Sequence, residues 1–330
     1  MRSEGVELLA HVRELDVMGF SGLPHALPRL ARLKASILRR CRARGVELAM
    51  LVDYPGFNLN LAKALKRLPH PPRILYYIAP QTWAWHGRRT RSMRRVIDRL
   101  AVVFPFEVEF FTRAGVPATF VGHPLLDELE PVGSGRAFRT AGPLLALLPG
   151  SRTGVVRRHL PPMVSAAKRL RERMPELRAA VGCAPGLDER LYRYALDGDE
   201  WIELRASSRE LLAEADAALV CSGTATLEAA LLQTPQAVVY RTSPLNYRII
   251  KRLIKIERVA LVNVIAGREV VPELLQGGFT PRTAAQAVEK LLRDEHHRAR
   301  MADDYREVCA RLGTPGAAAR VAAIATEMLK

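Results

Sequence analysis

A chain of 330 residues, 48% hydrophobic and 25% charged, is composed like a folded globular protein of two domains, which excludes a low-complexity or repeat architecture. Lys and Arg number 50 against 34 Asp and Glu, a formal charge of +16 that fits an anionic partner (acidic lipid, phosphorylated substrate or nucleic acid) or an Arg-rich surface with no special partner. Cys41, Cys183, Cys221 and Cys309 lack disulfide or zinc spacing, and no run of about 18 apolar residues occurs, so a reducing cytoplasm and at most peripheral membrane contact are expected.

Residues 1–9 read as the middle of a doubly wound domain, without the buried strand and glycine-bearing loop that usually open one. Over 17–40, apolar Met18, Phe20, Leu23 and Leu27 mix with Arg29 and Arg32. That amphipathic basic stretch suits an anionic membrane interface or an ordinary surface helix equally. Strands are expected at 46–52, 73–79, 100–104 and 119–121, with helices beginning near Asn58, Arg88 and Glu107. Residues 130–136 are rich in turn formers and read as a linker, dividing a domain 1–135 from a domain 136–330. Strands at 144–148, 177–182, 202–204, 217–220 and 237–240 then alternate with helices, and from Pro281 the pattern is wholly helical. Such alternation specifies an α/β fold, most simply two Rossmann-like halves facing across a cleft, the first of them incomplete.

Two turns in the second half carry phosphate-binding chemistry. In the first, the strand 144–148 runs into Pro149, Gly150, Ser151 and Arg152, where backbone N–H groups and a guanidinium suit an anion. A plain strand-to-helix turn with a solvated Arg is the alternative. In the second, Ser222, Gly223 and Thr224 open a helix, with Glu228 one turn further in and able to accept hydrogen bonds from a ribose. Here the alternative is a capped helix with an early Glu favoured by the helix dipole. Both turns follow strands of one half, as a nucleotide diphosphate at a switch point requires.

In the first half, Asp53 leaves a buried strand and is a candidate general base, or else a turn-initiating Asp before Pro55. Trp83 and Trp85, two of three tryptophans, stand with Gln81 in a segment that lines a sugar or acyl groove or packs a core.

In chain order, Val52-Asp-Tyr-Pro-Gly-Phe-Asn58, Ala79-Pro-Gln-Thr-Trp-Ala-Trp85, Val103-Phe-Pro-Phe-Glu107, Val121-Gly-His-Pro124, Leu147-Leu-Pro-Gly-Ser-Arg152, Ser222-Gly-Thr-Ala-Thr-Leu-Glu228, Asn263-Val-Ile-Ala-Gly-Arg-Glu269 and Pro272-Glu-Leu-Leu-Gln276 resemble one family, lipid-A-disaccharide synthase, a glycosyltransferase of the GT-B fold. The resemblance implies inverting transfer of 2,3-diacylglucosamine from UDP to the 6-hydroxyl of 2,3-diacylglucosamine 1-phosphate. It implies Asp53 as base and Gly150, Ser151, Arg152, Ser222, Gly223, Thr224, Glu228 and Asn263 as the UDP-sugar side. It further implies a homodimer at the cytoplasmic face of an inner membrane, with no cofactor, metal or nucleic acid. The chain departs from the family at its start, which lacks a strand and Gly-Glu-x-Ser-Gly-Asp loop, and at Val155, where the family has Glu. Two rival readings are another UDP-sugar enzyme of the GT-B fold, against which the Trp-Ala-Trp and Asn-x-x-Ala-Gly-Arg-Glu elements count, and a remnant that binds UDP or lipid without turnover.

Overall fold

The computed structural model describes residues 5–10, 23–82, 88–129, 142–243, 247 and 258–330. Two compact units divide the chain, one running to Val121 and taking back Ala318–Lys330, the other spanning Gly122–Ala317. The expected linker at 130–136 lies outside the described residues.

The first unit begins with α1 (Leu23–Arg44) and continues as β1 (Leu48–Val52), α2 (Pro55–Leu65), β2 (Arg73–Tyr77), α3 (Arg88–Met93), β3 (Arg99–Val102), α4 (Pro105–Arg113) and β4 (Ala118–Phe120). Its four strands pair in parallel in the order β1-β2-β3-β4. Ile74, Leu75 and Tyr76 of β2 are fully buried, as a strand covered on both faces must be. β1 is a sheet edge among the described residues and leaves Met50 and Val52 about half exposed. α1 turns Ile37, Leu38 and Cys41 onto this core.

The second unit comprises α5 (Leu125–Glu128), β5 (Leu144–Leu148), α6 (Thr153–Arg171), β6 (Arg178–Gly182), α7 (Arg190–Leu196), β7 (Ile202–Arg205), α8 (Ser208–Glu214), β8 (Ala217–Cys221), α9 (Ala225–Leu231), β9 (Gln236–Tyr240), α10 (Leu261–Ala266), β10 (Glu273–Leu275), α11 (Pro281–Arg293) and α12 (Glu295–Arg311). The sheet order is β10-β9-β8-β5-β6-β7, every pair parallel. From the central β5 the chain builds outward through β6 and β7, then crosses back to lay β8 on the other side of β5. β5 and β8 are therefore the switch-point neighbours, and both are buried along their whole length. β10 escaped the sequence pattern because it is only three half-buried residues long.

The last helix, α13 (Ala317–Leu329), falls almost wholly in the first unit, whereas the pattern of alternation had grouped it with the second half. Its apolar side explains the difference. Val321 and Met328, flanked by Ile324 and Ala325, pack on Leu75, Ala101 and Val121 of the first unit. Burying each of the larger side chains contributes about 1.5–3 kcal/mol. Arg320 Nε also donates to the Val121 carbonyl at 2.7 Å.

Candidate functional site

A cavity of about 680 Å³ opens at the carboxyl ends of β5, β6, β8 and β9 in the second unit, where Leu148, Gly182, Cys221 and Tyr240 form part of its wall. Its floor is the pair of turns singled out in the sequence: Gly150, Ser151 and Arg152 after β5, and Ser222, Gly223 and Thr224 after β8. The fold brings them together because β5 and β8 are hydrogen-bonded neighbours, Leu148 standing opposite Val220.

Glycine is required at Gly150. Its φ is +106°, and a Cβ there would lie 2.7 Å from Val155 Cγ1. Gly223 adopts φ +152°. The polar groups of the second turn divide cleanly. The Gly223 carbonyl accepts from Thr226 N at 3.2 Å and from Thr226 Oγ1 at 2.8 Å. Ser222 is also spent, its N–H donating to Val239 O and its Oγ to Val259 O, both at 3.1 Å. By contrast, the N–H groups of Gly150, Ser151, Arg152, Gly223, Thr224 and Ala225 have no protein acceptor among the described residues. A cradle of such N–H groups binds phosphate.

Arg152 supplies the charge. It is exposed at the N-cap of α6, and its guanidinium makes no hydrogen bond or ion pair among the described residues. A cation there opposes the helix dipole, an arrangement that an anion shared by both would reverse. Burial pushes the Cys221 thiol up to about 12 despite the opposing Arg152 charge, so this wall residue stays a neutral thiol. Burial likewise raises the Tyr240 phenol.

Glu228 lies on the wall but is already engaged, accepting from Arg209 Nε at 3.1 Å. Arg209 also meets Glu128 and lines the cavity. The hydrogen bond to Glu128, then that to Glu228, holds its guanidinium more firmly protonated than usual. Sequence reading missed Arg209. The signal was a third strand-to-helix turn, Ser207 to Glu210, whose Ser207 Oγ caps α8 by accepting from Glu210 N at 3.2 Å.

Asn263 stands apart from the cavity wall. The expectation placed it on the UDP-sugar side, but it is fully buried and does not line the cavity. Its Nδ2 donates to Val271 O and Glu273 Oε1, each at 2.8 Å, and its Oδ1 accepts from Val270 N at 2.7 Å and Val271 N at 2.9 Å. Those four bonds use the whole capacity of the amide. Glu273 in turn accepts from Val259 N and Ala260 N, each at 2.9 Å. Asn263 thus secures the segment whose Val259 carbonyl receives the Ser222 hydroxyl.

In the first unit, Asp53 is exposed at the end of β1, with φ +44°. Its carboxylate has no hydrogen-bond partner among the described residues. Gln81 is exposed, and Trp83 and Trp85 lie outside the described residues. Of the expected membrane residues, Met18 and Phe20 also lie outside them, as does the Leu23 side chain, while Leu27, Arg29 and Arg32 are exposed on α1.

A second hollow, of about 830 Å³, lies between α6 and α7 and is lined by Arg157, Pro161, Asp188, Leu191 and Tyr194 among others. It is larger, but it includes neither glycine-bearing turn, so the chemistry favours the cavity at the strand ends.

The family model for lipid-A-disaccharide synthetase matches residues 1–327. A lipid-A-disaccharide synthase of Myxococcus xanthus is 41% identical over 337 residues, covering 100% of this chain and 88% of the relative. This chain belongs to that family. It is accordingly a hexosyltransferase of lipid A disaccharide synthesis, taking a UDP-sugar and a lipid-linked sugar. Among solved structures, the S. aureus MnaA–UDP co-structure matches with a TM-score of 0.61 at 12% identity, covering 89% of this chain and 77% of that one. CalG4, the calicheamicin glycosyltransferase, matches with a TM-score of 0.53 at 17% identity, covering 95% and 82%. At those identities the likeness establishes the GT-B fold. In the described residues no helix is long and apolar enough to cross a membrane.

Proposed function

We propose that the chain joins UDP-2,3-diacylglucosamine to 2,3-diacylglucosamine 1-phosphate, forming the β-1,6 disaccharide 1-phosphate and UDP. The observation that carries the reading is the cradle of six N–H groups at the switch point of the second sheet which, like the Arg152 guanidinium beside them, have no partner among the described residues. A diphosphate fits that cradle, and a leaving diphosphate fits it better because its charge grows as the bond breaks.

In the proposed step, the Asp53 carboxylate takes the proton of the acceptor 6-hydroxyl. The freed oxygen lone pair attacks the donor anomeric carbon from the face opposite the diphosphate. The bond from that carbon to the β-phosphate oxygen breaks, its electron pair leaves with UDP, and the configuration inverts. Arg152 and the turn N–H groups stabilise the departing charge. Glu228 faces the ribose once Arg209 shares its carboxylate. Gln81, Trp83 and Trp85 form the acceptor or acyl groove. A homodimer, and contact of the α1 region with an anionic membrane at the cytoplasmic face, belong to the same proposal.

A transfer assay with labelled donor and acceptor tests it. The chain yields disaccharide, Asp53→Asn loses about 100-fold or more in kcat with UDP Kd unchanged, and Arg152→Ala weakens UDP about tenfold. No product from the unmodified chain overturns the reaction, and loss of UDP affinity in Asp53→Asn removes Asp53 as base.

A further inference from the structure

Asp53 and Tyr54 both sit at φ +44°, two consecutive non-glycine residues in the left-handed region. Each costs about 1–2 kcal/mol, and such strain survives only where the surroundings hold it. The Tyr54 carbonyl accepts from Phe57 N at 3.2 Å and Asn58 N at 3.0 Å, and the Asp53 backbone is held on both sides. Its N–H donates to Tyr77 O at 2.9 Å. Its carbonyl accepts from the Tyr76 hydroxyl at 2.6 Å and from Asn58 Nδ2 at 2.7 Å. Asn58 Nδ2 also reaches the Val52 carbonyl at 3.0 Å, tying the last strand residue to the turn. The carboxylate is left exposed, available to a substrate.

Tyr76 is the unusual member. Its ring is fully buried in the core of the first unit, yet its hydroxyl ends on the carbonyl of the one residue proposed as base. Burial, and secondarily the Asp53 charge, push its phenol well above the ordinary range, so it stays a donor throughout working pH. A buried hydroxyl on β2, one strand away from Asp53, is more than sheet packing requires.

We propose that Tyr76, assisted by Asn58, is a positioning residue for the glycosyl transfer: it locks the Asp53 backbone in its left-handed conformation and so fixes where the carboxylate meets the acceptor hydroxyl. The inference rests on the reading of Asp53 as base. Released from the Tyr76 hydrogen bond, Asp53 relaxes toward the extended region, and displacing a base by about 1 Å is enough to cost on the order of 100-fold in rate.

Tyr76→Phe removes the hydroxyl and keeps the ring, so folding is retained. The expected result is a 10- to 100-fold fall in kcat, with UDP Kd and melting temperature unchanged. The same substitution made in Asp53→Asn protein leaves the residual rate where it was, because no base remains to be positioned. An unchanged kcat in Tyr76→Phe overturns the inference, as does a further additive loss in the double variant or a fall in UDP affinity. The two levels stay separable. If Asp53→Asn itself turns over normally, the base assignment fails; if Asp53→Asn is inactive and Tyr76→Phe is normal, only the positioning role fails.

Discussion

The carboxyl edges of the two sheets solve opposite problems with the same region of backbone space. On the second sheet the positive-φ residues at the cavity are Gly150 and Gly223, and bare backbone N–H groups are left exposed between them. On the first, after β1 and β2, they are Asp53, Tyr54 and Ile78, which bear side chains, and the Asp53 backbone is tied up while its carboxylate is left exposed. Glycine removes the Cβ so that a phosphate can approach the main chain closely. A left-handed aspartate places a side chain where an extended strand end would not, at a cost met by hydrogen bonds from β2 and α2. One edge presents its backbone and the other a side chain, which is the division of labour the proposed reaction uses.

Breaking the glycine edge has the largest expected effect. Gly150→Val puts a branched side chain at φ +106° against Val155, and UDP affinity falls about 100-fold or more, read by calorimetry, with a loss of roughly 2–3 kcal/mol in urea unfolding. Acid comes next and separates the units. His123 and His159 are both buried in the second unit, and burial lowers both below 6.5, to about 4 for His123. The unfolded chain therefore takes up protons that the folded unit refuses, and stability is lost as pH falls from about 6.5 toward 4, by up to about 3 kcal/mol for His123. Hydrogen exchange will show the second unit opening before the first in that window, and His123→Gln will narrow the gap. The smallest effect tests strain on the other edge. At Ile78, with φ +62°, the Gly variant should exceed the Ala variant in stability by about 1 kcal/mol, reversing the order expected in an ordinary strand.

Much of this architecture was legible because it depends on local chemistry. Continuous apolar runs such as Leu144–Leu148 identify strands buried on both faces, and small residues at their ends identify turns, so nine strands were placed to within a few residues, and the two turns singled out lie together on one cavity. What the local pattern did not display depended on partners distant in sequence. Asn263 stands in a motif that resembles a ligand-binding one, yet its amide is consumed by Val270, Val271 and Glu273. Arg209 bridges Glu128 and Glu228, a contact spanning 81 residues on one side and 19 on the other, which no local window displays.

The sequence by itself determined the α/β class, the family and the residue types at the strand ends, since periodicity, glycine and proline placement and motif order are written along the chain. Only the tertiary structure decided which polar groups remained free. α13 joined the first unit because its apolar stripe finds Leu75, Ala101 and Val121 there, Ser222 lost its donors to neighbouring carbonyls, and Asp53 kept its carboxylate because Tyr76 and Asn58 took its backbone instead. Hydrogen-bond capacity is finite, and the partners that fill it are chosen by folding.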